Sequence, residues 1–185
     1  MAVPRKVGIV VGSLRKASLN RKLALALIAM APPALALKIV EIGALPLYNQ
    51  DEDAQMPAPW AEFREQIAAC DAVLFVTPEY NRSVPGALKN AIDVGSRPYG
   101  KSAWAGKPAA IVSVSPGAAG AFGANHHLRQ SLVFLNMPAM QQPEAYIGGA
   151  DKLFAEDGSI SNPSTHEFMT KFLAAFEQWI ARNAA

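Results

Sequence analysis

The sequence predicts a three-layer α/β domain built on a parallel sheet. Short apolar runs rich in Val and Ile, each bounded by Gly, Pro, Ser or Asp, alternate along the chain with segments of helical periodicity. Those runs are near-continuous rather than alternating, as in strands covered on both faces. The alternation runs the length of the chain without an internal repeat or a linker, so all 185 residues are expected to form one domain, 1–185.

The elements follow in order. Val7–Val11 is the first strand, and Leu19–Met30, with apolar residues three and four apart, the first helix. Leu37–Ile42 is a strand, Trp60–Ala69 a helix, Ala72–Val76 a strand and Gly86–Val94 a helix. Ala109–Val114, Ala124–Leu135 and a fifth strand near Ala139–Gln142 come next. A long helix, Ser164–Arg182, ends the series; Ser164 followed by Glu167 reads as a capping box. Five strands and five helices fit a flavodoxin-like sheet of order 2-1-3-4-5 better than a full dinucleotide-binding fold. Ligands of such sheets sit at the carboxyl ends of the strands, near the switch between strands 1 and 3. The loops after Val11, Val76 and Val114 are therefore where chemistry is expected.

Composition excludes several classes. Half the residues (51%) are hydrophobic, enough for a packed core. A net charge of +2 with no Lys/Arg run excludes a reader of the nucleic-acid backbone. Cys70 is alone, which rules out an intrachain disulfide or a cysteine zinc site and fits a reducing cytoplasm. The longest apolar stretch, Leu23 to Leu37, contains Pro32 and Pro33 and falls short of the roughly 20 residues a spanning helix needs. The N-terminus runs into a strand-like segment without a signal core, so the protein is expected to stay where it is made.

The first loop is Gly12-Ser13-Leu14-Arg15-Lys16-Ala17-Ser18-Leu19-Asn20. Hydroxyls at Ser13 and Ser18, the Asn20 amide, the Arg15 guanidinium and free helix N-terminal amides make an anion cradle. A helix cap needs one such residue rather than four. With Gly12 as its sole glycine, the loop is no Gly-x-Gly-x-x-Gly fingerprint. It suits a terminal phosphate monoester, and hence a mononucleotide such as FMN. The second loop, Thr77-Pro78-Glu79-Tyr80-Asn81-Arg82-Ser83-Val84-Pro85-Gly86, is stiffened by prolines and presents a Tyr, an Asn and a Glu. That supplies a wall and fixed edge groups for a flat heterocycle.

Gly-Ser-Leu-Arg-Lys-x-Ser-x-Asn after the first strand is paired with Pro-Glu-Tyr-Asn-x-Ser-x-Pro-Gly-x-Leu-Lys-Asn-Ala-Ile-Asp after the third. Together they resemble the NAD(P)H-dependent FMN reductases, and among them the bacterial chromate, quinone and ferric reductases of the ferric reductase B type. The resemblance covers nearly the whole chain. It implies that Ser13, Arg15, Ser18 and Asn20 hold the FMN phosphate, and that Pro78, Glu79, Tyr80, Asn81 and Ser83 lie against the isoalloxazine and ribityl. The third loop, Ser115-Pro116-Gly117-Ala118-Ala119-Gly120, has small residues that let backbone amides approach a ligand. The resemblance adds Ser115, Gly117 and Gly120 to the cofactor site, although the family's Gly-Gly pair is split here into Gly120 and Gly123.

Other signals carry less. Gly95 to Ser102 matches the P-loop expression Gly-x4-Gly-Lys-Ser, but it follows a helix instead of a strand and opens none. His126 and His127 are neighbours pointing apart on a helix, a poor metal site, and are read as surface or interface residues. Asp51-Glu52-Asp53 reads as a solvated loop and Cys70 as a buried thiol. Arg97 and Trp104 lie in an irregular segment near where the resemblance puts a dimer interface, which makes a substrate-stacking or cofactor-contacting role a hypothesis.

The resemblance implies an enzyme in which NADH or NADPH gives a hydride to FMN, which passes electrons on in ping-pong order. Soluble quinones are the expected acceptors, with chromate, ferric complexes, azo compounds or free flavin as others. No catalytic side chain and no metal are required. A homodimer is favoured over a homotetramer: Arg129 and Glu144 stand where tetrameric relatives carry interface charges, but Arg82 replaces a tyrosine found in some of them. The alternative from another class is a flavodoxin-like FMN electron carrier without its own NAD(P)H reaction. A phosphate-binding module would leave the second loop unexplained.

Overall fold

A computed structural model describes residues 3–184. Its elements are β1 (Arg5–Val11), α1 (Leu19–Met30), β2 (Leu35–Val40), α2 (Ala58–Ala68), β3 (Ala72–Thr77), α3 (Gly86–Ser96), β4 (Ala109–Val114), α4 (Phe122–Phe134), β5 (Ala145–Ile147) and α5 (Pro163–Asn183). The five strands form one parallel sheet of order β2-β1-β3-β4-β5, the flavodoxin-like order. Its register pairs Val11 with Val76, Thr77 with Ser113 and Val114 with Ile147. The chain therefore leaves β1, β3 and β4 along one edge.

Two apolar layers flank the sheet. Ile9, Val11, Leu74, Val76, Val112 and Val114 pack with Leu23 and Leu27 of α1 and Phe172, Phe176 and Ile180 of α5. Val10, Val73, Phe75 and Ile111 face the opposite way, among Phe63 and Ile67 of α2, Leu88 and Ile92 of α3, and Leu128 and Leu132 of α4. Alternate residues of each central strand thus enter different layers, so both need apolar side chains and the strands read as unbroken runs. Each fully buried Leu, Ile or Phe contributes roughly 1.5–3 kcal/mol from burial.

Three expectations are corrected. The segment Ala139–Gln142 is not the fifth strand. Ala139 makes one isolated parallel bridge to Ala109, and the Met140 amide donates to the Ala109 carbonyl at 2.7 Å. Pro138 and Pro143 have no amide to donate, so the ladder breaks there and resumes at Ala145, opposite Val112. The second strand begins at Leu35, two residues early. Its burial pattern is mixed, because it is an edge strand. The last helix has no Ser164–Glu167 capping box. Asn162 is its cap, accepting from the Thr165 amide at 3.0 Å, with Pro163 opening the helix. Ser164 donates to Asn162 at 2.7 Å, and Glu167 pairs with Lys171 at 2.6 Å.

Candidate active site

Three loops meet along the carboxyl edge of β1, β3 and β4. The first is fixed at both ends. The Gly12 amide donates to the Val76 carbonyl at 2.9 Å, and a Cβ on Gly12 would stand 2.9 Å from Thr77 Oγ1 and 3.1 Å from Leu88 Cδ2. Loops one and two thus meet so closely at this point that only glycine fits. Ser18 is buried and caps α1, its Oγ accepting from the Arg21 amide at 3.1 Å. The remaining first-turn amides have no partner within the helix. Ser13 is buried, whereas Arg15 is exposed beside Lys16. Ser13, Arg15 and Lys16 line a cavity of about 430 Å³ that reaches the end of β2, where Arg21 pairs bidentately with Glu41 at 3.0 and 2.6 Å.

Asn20 lies deeper than the rest of this loop. It is 4% exposed, and its Nδ2 donates to the Val114 carbonyl at 3.4 Å, which ties the first loop to the start of the third. Its Oδ1 is buried with no partner. An acceptor oxygen in want of a donor suits a hydroxyl of a polyol chain better than a phosphate oxygen.

The second loop is a tight hairpin. The Tyr80 and Ser83 amides and carbonyls exchange bonds of 3.1 and 3.0 Å around Asn81 and Arg82, whose φ angles are 52° and 63°. Left-handed backbone suits Asn81; Arg82 adopts it at a cost of about 1 kcal/mol. The turn leaves Tyr80 45% exposed and Asn81 on the surface. Glu79 turns inward instead: its Oε2 accepts from the Ala124 amide of α4 at 3.1 Å. Ser83 Oγ lies 3.0 Å from His127 Nδ1.

The third loop rests on residues that the sequence reading missed. Ser113 and Asn125 are fully buried. Ser113 Oγ donates to the Gly120 carbonyl at 2.7 Å, and Asn125 Nδ2 donates to Ser113 Oγ at 3.3 Å. Arg129 extends this chain to Asn125 Oδ1 and the Met140 carbonyl. The signal available was a polar residue inside each apolar pattern. Ser115 accepts from the Gly117 amide at 3.1 Å, and Gly117 is exposed. Gly120 is buried with φ 56°, its open side 2.6 Å from the Tyr146 backbone where a Cβ would stand. It serves close packing against β5.

Other expected positions resolve differently. Trp104 is fully buried against Phe63 and Phe75, with Nε1 donating to the Ile92 carbonyl at 3.0 Å, so it cannot stack on a substrate. Arg97 is half-buried and sits over the Tyr48 ring at 5.3 Å. It lines a larger cavity, about 1010 Å³, between α3 and α4, which reaches the three loops only through Ser83 and Val84. Its volume exceeds that of the first-loop cavity, but the convergent polar groups lie at the loops, so the loop crevice is the better candidate for chemistry. Asp53 is not simply solvated: it accepts from Tyr48 Oη at 3.2 Å, and its other oxygen is buried. Gly95 lies in the last turn of α3, and no helix opens at Ser102, so the P-loop match has no phosphate cradle. Cys70 is half-buried, and burial raises its thiol. His126 and His127 are both exposed; no metal-binding cluster occurs among the described residues, and none of their helices is long and apolar enough to cross a membrane.

The parallel sheet and the polar loops at its switch point define a flavodoxin-like α/β protein with a ligand crevice at the strand ends. More particularly, the chain belongs to the family described as NADPH-dependent FMN reductase, which matches residues 5–152. It is 64% identical over 180 residues to a quinone reductase of Pseudomonas putida KT2440, covering 97% of this chain and 96% of that one. A 2-hydroxy-1,4-benzoquinone reductase of a Burkholderia species is 45% identical over 175 residues, 95% and 96% of the two chains. The solved structure of FerB, a flavoenzyme NAD(P)H:(acceptor) oxidoreductase from Paracoccus denitrificans, superposes with a TM-score of 0.93 at 43% identity, covering 98% of this chain and all of that one.

Proposed function

We propose that the protein is a cytoplasmic FMN-dependent NAD(P)H oxidoreductase that reduces quinones. The observation that carries this reading is the meeting of three loops at the β1/β3 switch, one rich in hydroxyls and helix N-terminal amides and one a rigid hairpin bearing Tyr80 and Asn81. The relatives act on quinones, and their likeness spans nearly the whole chain.

FMN bound here would supply the redox chemistry, carrying reducing equivalents from NAD(P)H to the acceptor in separate half-reactions. The protein's part is to bind and orient. Ser13, Arg15, Ser18 and the free amides at the start of α1 neutralise the phosphate dianion without a metal. Asn20, whose buried Oδ1 lacks a donor, would accept from a ribityl hydroxyl. Pro78, Glu79, Tyr80, Asn81 and Ser83 of the second loop would hold the ring, together with Ser115, Gly117 and Gly120 of the third. Fixed backbone dipoles of these loops stabilise negative charge on a reduced ring without having to reorganise.

A homodimer through the α3–α4 face is part of the proposal, since Tyr99, Val133 and Phe134 each leave 80% or more of their surface exposed there. An anaerobic absorbance titration tests the function. Bleaching of bound flavin by NADH or NADPH, and return of colour on adding a quinone, are expected. Flavin that binds but does not bleach would overturn the reductase and leave an electron carrier; no flavin uptake would overturn both.

A further inference from the structure

We propose that Asn125 is a positioning residue for the third loop: held by Arg129, it orients the Ser113 hydroxyl so that its one proton goes to the Gly120 carbonyl. The link from this relay to the cofactor rests on the FMN reading above.

The third loop enters α4 through two consecutive residues in left-handed backbone, Gly120 at φ 56° and Ala121 at φ 61°. Glycine adopts this conformation freely and alanine does not, so the surrounding structure has to hold the turn. Packing limits it on one side, since a Cβ on Gly120 would stand 2.6 Å from the Tyr146 backbone. Beneath it lie two polar side chains, Ser113 of β4 and Asn125 of α4, both 0% exposed. Groups so deep must find their partners within the chain.

The direction of their bonds is set by Arg129. A guanidinium has donors only, so its partner has to present an acceptor. Arg129 Nε donates to Asn125 Oδ1 at 3.1 Å, and its Nη1 donates to the Met140 carbonyl at 2.9 Å. Asn125 therefore turns Nδ2, which can only donate, towards the core. One Nδ2 proton meets Ser113 Oγ at 3.3 Å and the other the Ala145 carbonyl of β5 at 3.4 Å. Ser113 Oγ is thus an acceptor towards Asn125. Its own proton is left for the Gly120 carbonyl at 2.7 Å, which lies closer than the Ala145 carbonyl at 3.3 Å. The opposite order, with Ser113 donating to Asn125, would leave the buried Gly120 carbonyl without this donor. A cation on α4 thereby decides how the end of the third loop is held, and with it the lie of Ser115 to Gly120.

The test compares wild type with Ser113→Ala and Asn125→Asp at pH 8. The first removes the donor to Gly120. The second keeps the shape and the Arg129 partner, but its carboxylate turns an acceptor towards Ser113 and claims the hydroxyl proton. Amide exchange of residues 115–121 is followed by mass spectrometry without flavin, FMN affinity by flavin fluorescence, and the midpoint potential of bound flavin by reductive titration. Both variants should exchange this segment about tenfold faster and bind FMN about tenfold more weakly. The potential should fall in both, because loosened dipoles cost a reduced ring more than an oxidised one.

Wild-type exchange in Ser113→Ala would overturn the pin on Gly120. Faster exchange in Ser113→Ala with wild-type exchange in Asn125→Asp would overturn the relay. Faster exchange in both, with FMN affinity and potential unchanged, would overturn the positioning role. Should neither variant fold, the wild-type protein decides: the Asn125 side-chain amide should be protected from exchange by NMR, and exchange at the solvent rate would overturn the relay. Should wild type take up no FMN, the oxidoreductase reading falls by itself, and the exchange comparison still decides the relay.

Discussion

Gly95 faces the indole of Trp104 so closely that a Cβ would stand 2.4 Å from Nε1 and 2.5 Å from Cε2. The end of α3 thus lies flat on a fully buried tryptophan that also contacts Phe63 and Phe75. A glycine that matches the first letter of a nucleotide-binding expression is there for packing. Gly95→Ala should destabilise the fold by about 2 kcal/mol through overpacking. Trp104→Ala should cost about 4 kcal/mol through the cavity it leaves. Urea unfolding of both, and of the double variant, checks this: the shortened side chain makes room for the new methyl, so the effects should be less than additive.

Arg82 holds left-handed backbone at the tip of the second loop, φ 63°. Its side chain is 86% exposed, so the ion pair with Glu79 adds little to stability. Arg82→Gly should raise stability by about 0.5 kcal/mol, since relief of the left-handed strain exceeds the added freedom of the unfolded chain. A denaturation midpoint no higher than wild type would contradict this account of the hairpin.

Burial first, and the neighbouring Glu144 carboxylate next, push the Tyr146 phenol up to about 12. Its hydroxyl lies 2.9 Å from His126 Nε2. A raised acid constant means that the folded state keeps its proton while the unfolded chain loses it. The contribution to stability is whole below the ordinary tyrosine value near 10 and declines as pH rises towards about 12. Tyr146→Phe should flatten this decline. A residual slope is expected from Tyr48, which burial also raises. Urea midpoints across that pH range measure it.

Arg97 lies over Tyr48 at 5.3 Å and lines the α3–α4 cavity, and a co-substrate contact there is testable. Arg97→Ala should raise the KM of NAD(P)H or of the quinone by about tenfold, equivalent to about 1.4 kcal/mol of binding. If steady-state kinetics leave both constants unchanged, Arg97 has no such role.

Much of the architecture was legible in the chain. Val7–Val11, Ala72–Val76 and Ala109–Val114 are buried on both faces, and that condition writes itself into a sequence as unbroken apolar runs. The fifth strand was not legible, because three residues at a sheet edge carry almost no pattern, and Pro138 and Pro143 interrupt the segment that looked apolar enough. The last helix misled for a similar local reason: Ser164 and Glu167 have the right spacing, but Asn162 before Pro163 is the cap that forms. Trp104 shows the limit in another way, since an aromatic in an irregular segment reads the same whether it faces a substrate or the core.

By itself, the sequence determined the α/β layering, the strand order and the three loops that hold the candidate site. Local periodicity and turn chemistry depend on neighbours in the chain. Only the tertiary structure decided what each polar group does. Asn20 donates its amide to Val114, 94 residues away, and Glu79 caps a helix 45 residues on. Ser113 and Asn125 carry the third loop from inside the core. A carboxylate or an amide is the same group in a sequence whatever it faces; the partners that folding brings within 3 to 3.5 Å decide whether it is free for a ligand or already satisfied within the chain.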